Sequence, residues 1–506
     1  MTLAIIHSRA SAGVLAPLIT VEVHLSPGIP RVNIVGLPEA EVKESKDRVR
    51  SALLNMEFKF PRKRLTINLA PADLPKEGGR FDLPIALGIL IASKQLMLRA
   101  ELSQMEFVGE LALSGELRSI SGILPIVLGA MAAKHQLIIP EANALEAGLV
   151  NGAKVYFAKH LLEVCAYLQG EATLPACENK TVINHASERL DLSDVRGQST
   201  AKRALEVAAA GHHHLLLIGS PGAGKTMLAN RITGILPDVT EEAALEIAAI
   251  ASITRRGFNY NDWQRIPFRS PHHSASSIAL VGGGRPPRPG EISLAHQGVL
   301  FLDELTEFQR QVLESLREPL EAAQITISRA SYQEIFPAKF QLIAAMNPCP
   351  CGYAGSGEDN CRCTNEQIER YLAKLSGPLL DRIDLHVEVS APPPEMLSIK
   401  VDNQAESIVV KERVVETRER QIKRQGKYNY ELSGNELIEY CSISTESQTM
   451  LNQVIRKFNL SARAYHRILK VARTIADLED AASISKVHLS EALLYRSLDK
   501  SKYVLK

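Results

Sequence analysis

His214-Leu215-Leu216-Leu217-Ile218 runs directly into Gly219-Ser220-Pro221-Gly222-Ala223-Gly224-Lys225-Thr226, and this stretch decides the reading of the chain. The second segment fits the phosphate-loop pattern G-x-x-x-x-G-K-[ST]. The first is a short apolar strand, and Met227 to Ile232 opens a helix. The glycines let backbone N–H groups turn inward on phosphate oxygens at a helix N-terminus. Gly219, Ser220, Pro221, Gly222, Ala223 and Gly224 form the cradle. Lys225 is expected to reach the β/γ-phosphates and the Thr226 hydroxyl to ligate Mg²⁺.

A phosphate loop needs an apolar strand ending in acids, and Val299-Leu300-Phe301-Leu302-Asp303-Glu304 supplies it downstream. Asp303 is placed to hold the Mg²⁺ shell, and Glu304 to orient and deprotonate the attacking water. The alternative is two acids capping the next helix. A further apolar strand, Phe340 to Met346, ends at Asn347, whose amide is expected to contact both γ-phosphate and water. Together these residues predict hydrolysis of a nucleoside triphosphate, with ATP and Mg²⁺ as ligands.

The chain around this site has 506 residues, enough for about three domains of ~150, and is 45% hydrophobic, 23% charged and 5% aromatic. Lys plus Arg (58) nearly cancel Asp plus Glu (57). No global basic field exists, so any contact with a polyanion must be local. The longest apolar run, Leu83 to Ala92, contains Pro84 and Gly88 and falls short of the ~20 residues of a membrane span. MTLAIIHSRASAGVL lacks a basic region followed by a sustained apolar core, as a signal peptide would have. Seven cysteines are too few for a disulfide scaffold. A cytoplasmic, reducing location without membrane contact is expected.

The fold class expected is α/β. Residues 1–168 read as an α+β domain, with strands at Val21–Leu25, Val32–Val35 and Arg64–Leu69 and helices at Glu39–Leu54, Pro84–Ser93 and Gly122–Lys134. Residues 169–190 are polar and irregular, a linker. Residues 191–392 alternate helices and strands as a parallel-sheet ATPase core, and after Pro392-Pro393-Pro394 residues 393–506 are helical. No period of 20 to 50 residues signals a repeat array.

Three further segments resemble the AAA+ ATPase superfamily. Asp194-Val195-Arg196-Gly197-Gln198 resembles its adenine-contacting segment, through Val195, Gly197 and Gln198. Gly377-Pro378-Leu379-Leu380-Asp381-Arg382-Ile383-Asp384 resembles the arginine-finger segment of the magnesium-chelatase and replicative-helicase branch. Ser461-Ala462-Arg463 resembles the second sensor of the helical lid. The resemblance implies that Arg382 acts on a neighbouring subunit's ATP in a homo-oligomer, a hexameric ring; the alternative is an arginine paired with Asp381 or Asp384. The segment containing Pro267 to His273 and Gly282 to His296 resembles the insert in the second helix of that branch. Ile325 to Phe340, with Arg329, resembles its pore hairpin. His272-His273 lacks partners at metal-ligand spacing and reads as loop.

Ile34-Val35-Gly36-Leu37-Pro38, Thr66-Ile67-Asn68-Leu69-Ala70-Pro71-Ala72-Asp73-Leu74 and Phe81-Asp82-Leu83-Pro84-Ile85-Ala86-Leu87 resemble the front domain of the ComM/YifB family, bacterial magnesium-chelatase-like AAA+ ATPases. That domain is similar in fold to the Lon protease domain. Here Lys76 to Phe81 stands in the serine's place without a serine, and Ser121 to Leu124 in the lysine's place without a lysine, which implies a protease-dead domain. The resemblance implies a hexameric helicase driving DNA branch migration during integration of strands in natural transformation, with recombination proteins as further partners. The alternative is a magnesium-chelatase-type motor subunit that remodels a protein partner.

Candidate contacts with branched or single-stranded DNA, without sequence preference, are Lys59, Arg62, Lys63 and Arg64, then Arg255-Arg256, and the run Lys411 to Lys427 with seven Lys/Arg against three Glu. For the last, a solvated helix face is the alternative. Cys349-x-Cys351 and Cys361-x-Cys363 follow Asn347 closely. They fit either a tetrahedral Zn²⁺ site beside the sensor or four reduced thiols in a surface loop.

Overall fold

The computed structural model describes residues 3–178, 190–329, 332–355, 361–391, 406–458, 460–496 and 498. The N-terminal unit is built on a seven-stranded mixed sheet. Its spatial order is Arg31–Val35, Arg64–Ala70, Leu18–Ser26, Leu3–Arg9, Met105–Phe107, Gln136–Pro140, Val155–Ala158. Alternation builds it: Ile19, Val21, Val23 and Leu25 all turn into the core, and Leu65, Ile67 and Leu69 on the antiparallel neighbour do the same. Helix Asp82–Ala92 is apolar on all sides and lies buried on the sheet. The expected α+β content is therefore present. Pro175 to Cys177 still bond along the edge strand, through Phe157 N to Pro175 O (3.0 Å) and Cys177 N to Val155 O (2.8 Å). The unit thus extends past the boundary expected at 168, and the rest of that linker, 179–189, lies outside the described residues.

The second unit holds a five-stranded sheet, all parallel, ordered Phe268–Arg269, Val299–Leu302, Gln341–Met346, Leu215–Ile218, Leu385–Glu388. The three central strands are buried throughout, as continuous apolar runs in a parallel sheet require. The edge strand Phe268–Arg269 corrects the sequence reading, which placed it in an insertion. The hairpin Gln324–Arg329 with Tyr332–Pro337 forms as expected, with Gln324 opposite Pro337; the side chain of Arg329 lies outside the described set. Ile325, Ile327 and Phe336 root the hairpin in the apolar cluster on one face of the sheet.

The C-terminal unit is helical: Glu406–Gln425, Asn435–Tyr440, Thr445–Phe458, Ala462–Leu478 and Lys486–Leu494. The boundary expected at 392–393 lies outside the described residues. Its helices share one core with Ser199–Gly211 and Lys225–Ile235. The N-terminal unit docks on the second through Ile123 and Val127, which pack with Ala244, Ala248 and Trp263, and through Gly122 N to Ser252 O at 2.9 Å. No described helix is long and apolar enough to cross a membrane.

Candidate nucleotide site

The ends of three adjacent strands meet at one level, since Leu302 pairs with Ala344 and Ile218 with Met346. The loops after them therefore converge. Gly219 has no room for a side chain: a Cβ there would sit 2.2 Å from the Val389 carbonyl oxygen. Gly224, at φ +84°, then turns the chain into helix Lys225–Ile235. The Lys225 ammonium donates to the carbonyls of Gly219 (2.8 Å) and Ser220 (2.9 Å) and to Asn347 Oδ1 (3.1 Å). Burial lowers the pKa of Lys225, against the opposing pull of Asp303 and Glu304.

Thr226 Oγ1 donates to Asp303 Oδ2 at 2.7 Å, and Asp303 Oδ1 accepts from Glu304 N at 2.9 Å. A hydroxyl and a carboxylate in contact at a helix N-terminus are the hard oxygen donors that Mg²⁺ takes beside phosphates. Glu304 stands at φ +52°, a region that costs a non-glycine residue about 1–3 kcal/mol. Its carboxylate lies 2.9 Å from His273 Nδ1. The His273 ring packs on His272, centroids 4.1 Å apart. Sequence reasoning missed this partner of the acid, because the pair is set by the edge strand that carries the chain into His273.

Gln198 closes the other side of the loop, donating to Ala223 O (2.7 Å) and Ser390 O (3.0 Å), with Val195 buried beneath it. Next to it opens a cavity of about 740 Å³ lined by Gly197, Gln198, Val389 and Arg413 among others, within the ~300–1,000 Å³ range of small-ligand pockets.

Arg382 and Arg463 stand elsewhere. Leu385 pairs with Leu215 and Asp384 N bonds His214 O, so Arg382 precedes the strands while the phosphate loop follows them. Four strand residues span about 13 Å. Arg382 is 5% exposed, donates to Pro378 O at 2.5 Å and pairs with Glu321. Neither Asp381 nor Asp384 holds it. Burial lowers its pKa, Glu321 opposes this, and Arg317, Arg463 and Arg467 lower it further. Arg463 is exposed, and Ser461 two residues before it reaches Asp381 at 3.5 Å. The same helix pairs Arg467 with Asp384. The structure thus unites Lys225, Thr226, Asp303 and Asn347 at one edge, and Arg382 with Arg463 at the other.

The four cysteines also converge: all four sulfurs lie within 4.8 Å of one another. The Lys411–Lys427 run is corrected in detail. Lys411 pairs with Asp238, Arg413 with Glu206, Arg420 with Asp480, Arg424 with Asp477 and Lys427 with Glu436, while Arg418 donates to Ala209 O. Only Lys423 of the seven is exposed and without a bonded partner in this set. Lys411, Arg413 and Arg418 tie the C-terminal unit to the core, and Arg420, Arg424 and Lys427 pair within that unit, so most charges of the run are already engaged inside the chain. Lys59, Arg62, Lys63, Arg64, Arg255 and Arg256 are exposed.

In the N-terminal unit, Arg80 Nη2 reaches Ser121 O at 3.4 Å, so the two segments expected at a peptidase centre do meet. A buried guanidinium and the apolar Leu124 stand there. Beside them, burial pushes Glu77 up to about 7.

A parallel sheet with a phosphate loop, acid-ended strand and polar sensor on adjacent strand ends defines an ATP-handling core of the AAA+ type. Family models of magnesium chelatase, subunit ChlI, match residues 191–397 and 21–143, and the subunit's C-terminal model matches 404–496. Competence protein ComM of Haemophilus influenzae is 53% identical over 98% of both chains. Uncharacterized protein YifB of Escherichia coli is 52% identical over 99% of this chain and 98% of its own. The magnesium-chelatase 67 kDa subunit of Chlorobaculum parvum is 23% identical over 31% of this chain and 23% of its own length. The chain belongs to the ComM/YifB family of magnesium-chelatase-like AAA+ ATPases.

Proposed function

We propose that this chain is an ATP-hydrolysing, hexameric DNA motor that promotes branch migration when incoming strands are integrated during natural transformation. The observation that carries the ring is the division of the ATP machinery between opposite edges of one sheet. Lys225 and the loop amides bind the triphosphate, Gln198 and the cavity beside it take the nucleoside, and Thr226 and Asp303 would hold Mg²⁺. That ion neutralises charge on the β- and γ-phosphates when bound. Glu304 activates the water once released from His273, and Asn347 orients it. Arg382 and Arg463, too far from their own phosphate loop, serve the site of the next subunit. Arg382, with Arg317, Arg463 and Arg467 close enough to act on its charge, suits a triphosphate there.

DNA as the partner draws on the relative named as a competence protein and on the exposed basic residues of the front domain and insert. Contact runs through the backbone, with salt dependence and without sequence reading. With no serine in Lys76 to Phe81 and no lysine in Ser121 to Leu124, no peptidase activity is expected. The test is a labelled three-way DNA junction with protein and ATP, with Glu304→Gln as control. Hydrolysis-dependent strand exchange is expected. An ATPase indifferent to DNA that moves no strand would overturn the reading in favour of a chelatase-type remodeller of a protein partner, which the ChlI-model matches favour.

A further inference from the structure

Cys349, Cys351, Cys361 and Cys363 form a cluster the ATP reading leaves unused. Their sulfurs approach to 3.3 Å (Cys349–Cys351), 3.7 Å (Cys349–Cys361) and 3.6 Å (Cys351–Cys361). A disulfide would need about 2.05 Å, and all four cysteines are free. A tetrahedron with Zn–S bonds of about 2.3 Å has edges of about 3.8 Å, close to what is found. Backbone amides add a supporting shell: Ala354 N donates to Cys349 Sγ at 3.3 Å, and the amides of Tyr353 and Arg362 face Cys351. Such N–H···S bonds orient and stabilise thiolate ligands. One residue from this cluster, Gly352 at φ +89° lies so close to the phosphate loop that a Cβ would fall 2.5 Å from Pro221 Cδ. Asn347, two residues before Cys349, bonds Lys225. The cysteine loop therefore touches the phosphate loop at two points.

We propose that Cys349, Cys351, Cys361 and Cys363 bind one Zn²⁺ ion, which fixes the turn after Asn347 against Pro221 and so braces the phosphate loop. On binding, the thiols release their protons to solvent and the sulfurs coordinate the metal; no oxidant or reductant takes part. Sulfurs this close call for one metal ion rather than a multi-iron cluster.

The full chain, grown with zinc and freed of any affinity tag, is assayed for metal by elemental analysis. One zinc per chain is expected in the wild type and in Cys177→Ser, whose cysteine lies in the N-terminal unit. Cys351→Ser and Cys363→Ser should each lose most of it, and Co²⁺ in its place should give the visible bands of a tetrahedral thiolate site. A wild type without zinc, or zinc kept by both variants, overturns the site. The brace is tested by titrating wild type with a fluorescent ADP analogue before and after removing zinc. Affinity several-fold weaker without metal is expected, and equal affinities overturn the brace. The inference rests on the ATP reading only for the brace: a chain that holds zinc yet turns over no ATP breaks that reading and leaves the metal site standing.

Discussion

The two edges of the five-stranded sheet are built differently. After the strands, Lys225 bonds Asn347 at 3.1 Å and Thr226 bonds Asp303 at 2.7 Å, and one cation stands among the carboxylates of Asp303 and Glu304. Before the strands, Arg317, Arg463 and Arg467 all act on the charge of Arg382, which pairs with Glu321, while Arg317 pairs with Glu314 and Arg467 with Asp384. One edge is complete within the chain; the other gathers four arginines, three of them paired with acids and Arg463 exposed. An electrostatic device aimed at charge developing elsewhere has this form, because a preorganised guanidinium is stabilised by the anion it meets in the transition state. On the proposed reading, the difference assigns binding to one subunit and turnover to two.

The largest effect expected is at the complete edge. Lys225→Ala should remove nucleotide binding and turnover together, read by ATPase rate and nucleotide titration. Glu304→Gln should keep binding and lose at least about 100-fold in kcat, since the base is gone while Thr226 and Asp303 remain. At the other edge Arg382→Ala should lose about 10³-fold in kcat with nucleotide affinity nearly unchanged, and mixing with Glu304→Gln subunits should restore part of the rate. If Arg382→Ala abolishes nucleotide binding as Lys225→Ala does, the division between edges is wrong. A smaller effect is expected at His273. Freeing the Glu304 carboxylate with His273→Ala should raise basal turnover roughly two- to tenfold, the net scale of one ordinary hydrogen bond between partly exposed groups. A fall in basal rate would instead place His273 on the side of catalysis.

How much of this was legible follows the same division. The strand, phosphate loop and helix are contiguous, and their chemistry depends on residues a few positions apart, so sequence suffices. The buried strands Leu215–Ile218, Val299–Leu302 and Gln341–Met346 announce themselves as apolar runs. Phe268–Arg269 does not: two residues make no period. His273 meets Glu304 only after that strand joins the sheet. The Lys411–Lys427 charges could be counted but not assigned, because Arg413 finds Glu206 across 207 residues, and a charge tally over a window is blind to partners outside it. Arg382 shows the same limit. Its acids nearest in sequence are not its partners, since Asp384 already accepts from His214 N and pairs with Arg467, and the guanidinium turns to Glu321 on a different element.

A last effect, on KM rather than on kcat, tests how far the complete edge owes its order to the loop behind it. Gly352→Ala adds a single methyl group at a left-handed φ of +89° and within 2.5 Å of Pro221 Cδ. The backbone penalty alone is about 1–2 kcal/mol, and the contact is with a ring fixed in the chain, so the loop and not a flexible side chain must give. A displaced Pro221 moves the amides that face the phosphates, whereas Glu304 and the arginine edge stay where they are. KM for ATP should therefore rise about five- to tenfold, equivalent to about 1–1.4 kcal/mol, with kcat within about twofold of wild type. A drop in kcat at unchanged KM would mean that the cysteine loop acts through Asn347 and the water, and the phosphate loop would then hold its shape without it.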